Sequence, residues 1–360
     1  MEHPEGFISV KPDATAAEGA TRKRRRIAVG STEEYEETCR LGDGGFGAVV
    51  KARHRATGHT VAIKHLNASD GDRAEELLRE ARFLEACSGN PFVVGFHGLV
   101  RDPATTDLCL VMEAVGPSLH DYLRQRRRGD PPLPEATVRA VMWQLLTGAK
   151  KLHERHIVHC DIKPENILIA EDHTVVKICD FGLAMSMSAQ PPYEPAGTVP
   201  YEAPEMLLGK PDYDGLVDTW SLGCVMAELI KGRALFQGYD EEEQLREIID
   251  VLGVPDDRTW PWFSSTPYAT EVLPELDVQR HNLLRELFPE EKLSKEGFEV
   301  LNGLLTCNPD KRLTAAAALK RPWFAKIDAL ALPKKDEVAS PSPKETEVPI
   351  VPPDRKLQCV

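Results

Sequence analysis

The sequence lacks the signals that would direct a protein into a membrane or out of the cell. No apolar run reaches the roughly 18 residues that a membrane-spanning helix needs. Residues 1–10 carry Glu2 and Glu5 where a secretory signal would have an apolar stretch. Cys359 is the second residue from the end, so it does not form the four-residue prenylation motif. We therefore expect an intracellular protein, in the nucleus or the cytoplasm, that does not bind membranes.

Paired cysteines are also absent. The chain has eight cysteines, and no two of them are spaced as C-x-x-C. Scattered thiols of this kind are typical of a reducing compartment, and they argue against both a disulfide framework and a zinc site. The sequence therefore predicts free cysteines.

Positive charge is scarce. The chain has 44 Lys and Arg against 57 Asp and Glu, which gives a formal net charge of −13. Such a balance disfavours non-specific binding to nucleic acid or to an anionic membrane surface. One basic run, Arg22–Arg26, is either a nuclear import signal or a solvated arm. We expect protein partners and no direct binding of nucleic acid.

What the sequence does have is enough apolar material for a large core. Hydrophobic residues make up 42% of its 360 residues and charged residues 28%, which indicates one large domain or two lobes. Residues 1–34 are polar, and the last residues alternate prolines with charges. Neither segment can bury enough apolar surface to offset the entropy lost on ordering. The sequence predicts flexible tails at 1–34 and 325–360 around one folded region at 35–324.

The first third of the folded region is rich in strand signals. One helix is predicted over 72–87, where leucine and alanine recur at helical spacing. Short β-branched and apolar runs bounded by turn residues indicate strands. The predicted strands cover residues 48–52, 60–65, 93–99 and 108–113.

The pattern becomes helical after Gly116-Pro117. Helices are predicted at 134–153 and 218–231, and Gly232 is placed to end the second in the left-handed conformation. We therefore predict an α+β fold with two lobes. Its parts are a small β-rich N-lobe at 35–113, a hinge at 113–117 and a larger α-helical C-lobe at 118–324.

A glycine-rich segment opens the folded region and contains the pattern G-x-G-x-x-G. It consists of Leu41, Gly42, Asp43, Gly44, Gly45, Phe46, Gly47, Ala48 and Val49. Glycine allows backbone N–H groups to approach phosphate oxygens closely, but a hairpin turn or a dinucleotide-binding loop would look similar. A dinucleotide-binding loop needs a helix at its third glycine, whereas Val49-Val50 continues a strand. This favours a strand–loop–strand lid over the phosphates of a nucleotide.

Lys64 ends the apolar run Val61–Lys64. A lysine at the end of a strand often only extends its charge into water. Alternatively, Lys64 neutralises phosphate oxygens and is held in place by Glu80 on the following helix. A glutamate on a helix is usually a solvated surface residue, so Glu80 alone is a weak signal.

The segment His159–Asn166, with the sequence HCDIKPEN, is more specific. Asp161 can accept a hydroxyl proton, and Lys163 can neutralise a phosphate in transfer. Asn166, and Asp180 after the next predicted strand, can offer oxygen atoms to Mg²⁺. A polar turn with an Asx-type hydrogen bond would explain one of these residues but not the whole set.

In this order the motifs resemble those of a eukaryotic protein kinase domain. The resemblance covers Tyr35–Phe324, and it includes Asp180–Gly182 and Ala203–Glu205 as well as the motifs above. It implies a two-lobed fold that uses ATP and Mg²⁺. At Lys163 and Thr198 the chain resembles the serine/threonine class of protein kinases rather than the tyrosine class.

The resemblance also assigns roles to individual residues. Lys64 and Glu80 would position ATP, and the glycine-rich segment would cover its phosphates. Asp161 would be the catalytic base, and Lys163 would stabilise the phosphoryl group in transfer. Asn166 and Asp180 would hold Mg²⁺. The hinge residues expected to contact the adenine or the ribose are Glu113, Val115 and Ser118.

Within this family the chain resembles the cyclin-dependent kinase branch. The segments that carry the likeness are 214–253 and the stretch from Trp260 to Arg312, and the subgroup they resemble is the plant F-type. The resemblance implies protein substrates, such as the activation loops of other cyclin-dependent kinases or the repetitive tail of RNA polymerase II. A monomer is expected.

Several positions depart from the branch. In this branch a helix motif contacts the cyclin, and of that motif only Arg79-Glu80 remains here, which argues against cyclin binding. Cys160 and Met185 stand where the branch usually has arginines that bind an activation-loop phosphate. Tyr193 stands where the branch usually has the phosphorylated threonine. Charge-assisted phosphate binding needs several arginines. We predict an activation loop that needs no phosphorylation.

The substrate groove departs as well. Pro200 and Glu202 stand where the branch has tryptophan and arginine, at the pocket for the residue after the target. The sequence thus leaves a preference for proline at that position open. The alternative to an active enzyme is a pseudokinase, a folded scaffold that binds partners without transferring phosphate. The presence of each phosphate-, metal- and proton-contacting residue favours the enzyme.

Overall fold

The fold is taken from a computed structural model of the full chain. It describes residues 7–8, 27–44, 47–66, 72–126, 130–193, 196–256, 258–275, 281–327 and 330. The predictions for Gly45, Phe46 and Arg22–Arg26 lie outside the described residues, as does most of the segment 325–360. Within the described residues no helix is long and apolar enough to cross a membrane.

A seven-stranded sheet forms the N-lobe, in the order β1-β2-β6-β7-β5-β4-β3. The strands are β1 (Phe7–Ile8), β2 (Ile27–Ser31), β3 (Tyr35–Gly44), β4 (Gly47–His54), β5 (Thr60–Leu66), β6 (Phe96–Arg101) and β7 (Leu108–Glu113). The β5 strand is central, since Lys64 pairs with Val49 on one side and with Leu110 on the other. The sheet therefore fixes the backbone of Lys64 from both sides.

Part of the predicted N-terminal tail belongs to this sheet, which corrects the prediction of a flexible segment over 1–34. Strand β2 runs parallel to β6, with Val29 opposite Leu99. A β-branched run such as Ile27-Ala28-Val29 suits a strand, and the otherwise open edge of β6 offers it backbone hydrogen-bond partners. The composition of residues 1–34 shows that they are mostly polar, but it does not show that the edge of β6 can pair with some of them.

The first helix of the N-lobe, α1 (Asp72–Ala86), confirms the helix predicted over 72–87. Its buried residues include Leu77, Glu80 and Ala81. The strand predicted over 93–99 begins later, at Phe96. Val93 and Val94 precede it as buried residues, and Val93 makes a bridge with Ile178 of the C-lobe.

The C-lobe is mainly helical. Its helices are α2 (Leu119–Gln125), α3 (Glu135–His153), α4 (Pro204–Leu207), α5 (Leu216–Lys231), α6 (Glu241–Leu252), α7 (Leu284–Leu287), α8 (Lys295–Leu304) and α9 (Ala315–Ala318). Its short strands are β8 (Ile157–Val158), β9 (Ile167–Ile169), β10 (Val176–Ile178) and β11 (Met185–Ser186). The predicted α+β fold with two lobes is confirmed.

Helices α3 and α5 form the centre of this lobe. The predicted helix over 134–153 is confirmed, and its apolar stripe is buried. Helix α5 is buried along most of its length and ends at Gly232, whose φ of 76° is the left-handed cap predicted from the sequence. Strands β9 and β10 form a hairpin between these helices and the N-lobe. The candidate site residues Asp161 and Asp180 lie in the segments just before β9 and just after β10.

Candidate active site

Lys64 lies between two carboxylates. Its Nζ is 2.8 Å from Oε2 of Glu80 on α1 and 3.0 Å from Oδ1 of Asp180, which follows β10. Burial acts to lower the pKa of Lys64, but these carboxylates outweigh it and raise the pKa above its ordinary value. The lysine is therefore a fixed cation, and it joins the sheet, α1 and the C-lobe in one contact.

Asp180 is held in an unusual backbone conformation. Its φ is 60°, in the left-handed region that few residues other than glycine adopt. The preceding carbonyl of Cys179 lies 2.9 Å from Nε2 of His159, and the following Phe181 packs edge-on against the His159 ring at 4.9 Å. Burial alone would raise the pKa of Asp180, but Lys64 dominates and lowers it. Asp180 thus carries a negative charge in the cleft.

The catalytic-loop residues form a second cluster, around Asp161. Lys163 Nζ lies 2.9 Å from Oδ2 of Asp161 and donates a hydrogen bond of 2.7 Å to the hydroxyl of Thr198. That hydroxyl donates to Oδ1 of Asp161 at 2.6 Å. The amide of Asn166 donates to the backbone carbonyl and to Oδ2 of Asp161, both at 2.9 Å. These contacts fix the carboxylate in one orientation.

Helix α5 supports the segment His159–Asn166 through the side chain of Asp218. Asp218 accepts hydrogen bonds from the backbone N–H groups of His159 at 3.0 Å and Cys160 at 2.9 Å. It also contacts Nε2 of His153 at 2.8 Å. Although burial acts against its charge, these hydrogen bonds and the nearby histidines lower the pKa of Asp218. Cys160, with a φ of 66°, then turns the chain so that Asp161 faces the cleft.

A backbone hydrogen bond connects the two clusters. The N–H of Cys179 donates to the carbonyl of Asn166 at 3.0 Å. Cys179, which precedes Asp180, is thus a neighbour of Asn166, which ends the segment that contains Asp161. The structure therefore brings Lys64, Glu80, Asp161, Lys163, Asn166 and Asp180 to one cleft.

Asn166 and Asp180 suit a magnesium ion. The amide nitrogen of Asn166 is used by Asp161, which leaves its carbonyl oxygen for a metal. Oδ1 of Asp180 faces Lys64, and its other oxygen makes no hydrogen bond within the described residues. Oxygen donors of this kind are what Mg²⁺ prefers, together with water and phosphate oxygens. No three His, Cys, Asp or Glu side chains of the described chain form a metal cage, so phosphate would have to complete the site.

The glycine-rich segment forms a hairpin, as the strand–loop–strand interpretation predicts. Gly42 pairs with Val49, Asp43 with Ala48 and Gly44 with Gly47 across β3 and β4. No helix begins at Gly47, so the dinucleotide-binding alternative is wrong. Leu41 is 52% exposed on this hairpin.

The hinge residues have different partners. Within the described residues the backbone N–H and C=O of Val115 make no hydrogen bond, which leaves both for a ligand. The Glu113 carboxylate instead accepts from Lys177 at 2.7 Å and from the N–H of Gly95 at 3.0 Å. The hydroxyl of Ser118 caps α2 by accepting from the N–H of Asp121 at 3.0 Å. Lys177 could not be found from the sequence, because an isolated lysine in a strand has no recognisable pattern.

The activation segment is held by apolar and backbone contacts. Cys160 and Met185, where phosphate-binding arginines were expected, are buried. Arg79 donates to the carbonyl of Ala184 at 2.8 Å. The ring of Tyr193 packs edge-on against Tyr213 at 5.4 Å. These contacts join the described part of the segment to α1 and to Tyr213.

This arrangement defines a class of protein, and comparison with known sequences agrees. The protein kinase domain model matches residues 35–324, so the chain belongs to the protein kinase family. It is a serine/threonine kinase of the cyclin-dependent branch, similar to the F-type. A putative cyclin-dependent kinase F-2 of Oryza sativa subsp. japonica is 46% identical over 303 residues, which cover 82% of this chain and 91% of that protein.

Two further relatives belong to the same branch. Cyclin-dependent kinase G1 of Arabidopsis thaliana is 37% identical over 330 residues, covering 87% of this chain but 52% of that protein. Cell division control protein 2 homolog 2 of Trypanosoma brucei brucei is 34% identical over 330 residues, covering 90% of this chain and 92% of that protein. The predicted resemblance is confirmed.

Proposed function

We propose that this chain is a catalytically active kinase that transfers the γ-phosphoryl group of ATP to serine or threonine hydroxyls of proteins. The observation that supports activity is the hydrogen bond from the N–H of Cys179 to the carbonyl of Asn166, which joins two clusters in one cleft. Lys64 contacts Asp180 at 3.0 Å, and Lys163 contacts Asp161 at 2.9 Å. One cluster would bind the nucleotide and the other would receive the target hydroxyl.

In the proposed reaction the target hydroxyl oxygen attacks the γ-phosphorus, and the bond to the β-phosphate oxygen breaks as ADP leaves. Asp161 accepts the hydroxyl proton. The hydroxyl of Thr198 already donates to Asp161 at 2.6 Å, which is the contact that a target serine or threonine would make. Lys163 stabilises the charge that spreads over the phosphoryl oxygens.

The nucleotide would lie under the β3–β4 hairpin, with its adenine at the free backbone groups of Val115. Lys64, held by Glu80, would pair with phosphate oxygens. Mg²⁺, bound by Asn166 and Asp180, would neutralise further negative charge on the phosphates. Ser118 would reach the ribose only by sharing the hydroxyl that caps α2.

We further propose activity without a phosphorylated activation loop and without a cyclin. The contact of Arg79 with the carbonyl of Ala184 occupies the remaining phosphate-binding arginine. Activation loops of other cyclin-dependent kinases and the tail of RNA polymerase II are the substrates that the family suggests. The protein would act as a monomer in the nucleus or the cytoplasm.

A labelled-ATP transfer assay on purified protein tests the proposed activity. Asp180→Asn removes one negative charge from the cleft with little change in volume, and we expect at least roughly a hundredfold loss of kcat. Asp310→Asn makes the same chemical change at an exposed turn and should leave the rate unchanged. Equal transfer by wild type and Asp180→Asn would instead support the pseudokinase, since the signal would then come from a contaminant.

A further inference from the structure

Glu202 occupies an unusual place for a carboxylate. It follows the 3-10 turn Val199–Tyr201 and precedes α4, in the stretch that the family resemblance assigns to the pocket for the residue after the target. Its side chain turns back toward the backbone of Gly197. A Cβ atom at Gly197 would lie 2.8 Å from Cγ and 3.1 Å from Oε1 of Glu202. The carboxylate therefore lies against the residue that precedes Thr198.

This position is close to the proposed catalytic base. Thr198 donates to the proposed base Asp161 at 2.6 Å. The same hypothetical Cβ at Gly197 would lie 3.1 Å from the carbonyl of Cys160, the residue before Asp161. Gly197 itself has a φ of 139°, which a larger residue would rarely adopt, so the close approach depends on glycine. Glu202 and Asp161 thus border the same short stretch of chain.

Among the described residues no cation pairs with Glu202. Within the described residues its carboxylate makes no hydrogen bond or ion pair, although it is half-buried. Burial, with the like charges of Glu241 on α6 and of Asp161, raises the pKa of Glu202 to about 7. Lys163 is the nearest cation of the catalytic loop, and it is engaged by Asp161 and Thr198. A half-buried carboxylate without a partner gains most from a ligand that brings a positive charge.

We propose that Glu202 is a specificity-determining residue that selects targets with arginine or lysine directly after the phosphorylated serine or threonine. The inference rests on the proposed function and adds a substrate class to it. A proline in that position has no charge to offer, so serine–proline sites are poorer substrates for this chain. A glutamate in that position of the peptide is repelled by the like charge of Glu202.

Four peptides that differ only in the residue after the target serine test this inference, with arginine, alanine, proline or glutamate in that position. For the wild type we expect kcat/KM to be roughly tenfold higher for arginine than for alanine or proline, the factor that a charge-assisted hydrogen bond supplies. Glu202→Gln keeps the shape and removes the charge, so the preference should fall to about twofold or less. The exposed Glu299→Gln on α8 is the matched control and should keep the full preference.

Wild type that prefers proline or shows no preference would overturn the inference, as would a Glu202→Gln variant that retains the arginine preference. Peptide affinities measured by fluorescence anisotropy with a non-hydrolysable ATP analogue give a second readout that needs no catalysis. If no peptide is phosphorylated but the arginine peptide still binds tightest through Glu202, the proposed activity fails and the selectivity stands. If all four peptides are phosphorylated equally well and bind with equal affinity, the selectivity is rejected and the proposed activity stands.

Discussion

At the scale of single residues, the site depends on charges that hold each other in place. Lys64 would be a poor cation in a buried strand if it were alone, because burial disfavours its charged form. Glu80 and Asp180, at 2.8 and 3.0 Å, reverse that preference. Glu202 is the opposite case, since its burial and the like charges of Glu241 and Asp161 together raise its pKa to about 7.

This pKa predicts a pH dependence of substrate choice. Glu202 is mostly protonated at pH 6 and mostly ionised at pH 8, because its pKa is about 7. The charge of an arginine peptide does not change over this range. The ratio of kcat/KM for the arginine peptide to that for the alanine peptide should therefore rise about three- to fivefold between pH 6 and pH 8.

Taking a ratio cancels the pH dependence of the transfer step, because that step is common to both peptides. The control is Glu202→Gln, for which the ratio should stay flat with pH. A wild-type ratio that falls with rising pH would contradict the assignment of the titration to Glu202.

At the scale of elements, the catalytic loop takes its shape from α5 rather than from its own sequence. Asp218, buried in the first turn of α5, accepts backbone hydrogen bonds from His159 and Cys160. These bonds satisfy two donors that the turn at Cys160 leaves without a regular partner. The loop and the helix are therefore one mechanical unit, and this unit carries the proposed base.

Asp218→Asn should loosen this unit. The change removes the charge that contacts His153 at 2.8 Å and weakens the two backbone hydrogen bonds. Losing one partner of a buried charged network destabilises a protein by about 3 kcal/mol, which urea unfolding followed by fluorescence would measure. The transfer rate should fall as well, although Asp218 does not touch substrate. Asp310→Asn serves again as the control, and equal stability of the two variants would argue against the bracing role.

At the scale of the whole molecule, the lobes meet through several contacts between residues of the chain itself. Lys64 joins the sheet to Asp180, Arg79 joins α1 to Ala184, and Val93 bridges to Ile178. In addition, β2 covers the edge of β6. These contacts hold α1 in the position in which Glu80 reaches Lys64.

We therefore expect the purified chain to be active alone. Treatment with a broad-specificity phosphatase, followed by its removal, should change kcat less than about twofold, since no phosphate is needed to order the activation segment. Phosphatase treatment of a cyclin-dependent kinase that carries the usual arginines and threonine is the control and should abolish its activity. Loss of activity in this chain would refute the prediction, as would a strict requirement for an added cyclin.

The sequence predicted the fold and the order of the motifs well, because these depend on local patterns. The helices over 134–153 and 218–231 follow from apolar periodicity, and the cap at Gly232 follows from glycine's freedom at positive φ. The strand over 108–113 matches residue for residue. Strand β2 was missed because its stability comes from the edge of β6, about 70 residues away in the chain.

The sequence by itself determined which chemical groups this protein has: a glycine hairpin, two lysines, two aspartates and an amide, in the order of a protein kinase. It also showed which arginines are missing. Only the tertiary structure decided which partners these groups have, such as Glu113 with Lys177, Ser118 with α2 and Glu202 with no cation. The physical reason is that a side chain's charge and hydrogen bonds depend on neighbours that the fold, and not the spacing along the chain, brings within a few ångströms.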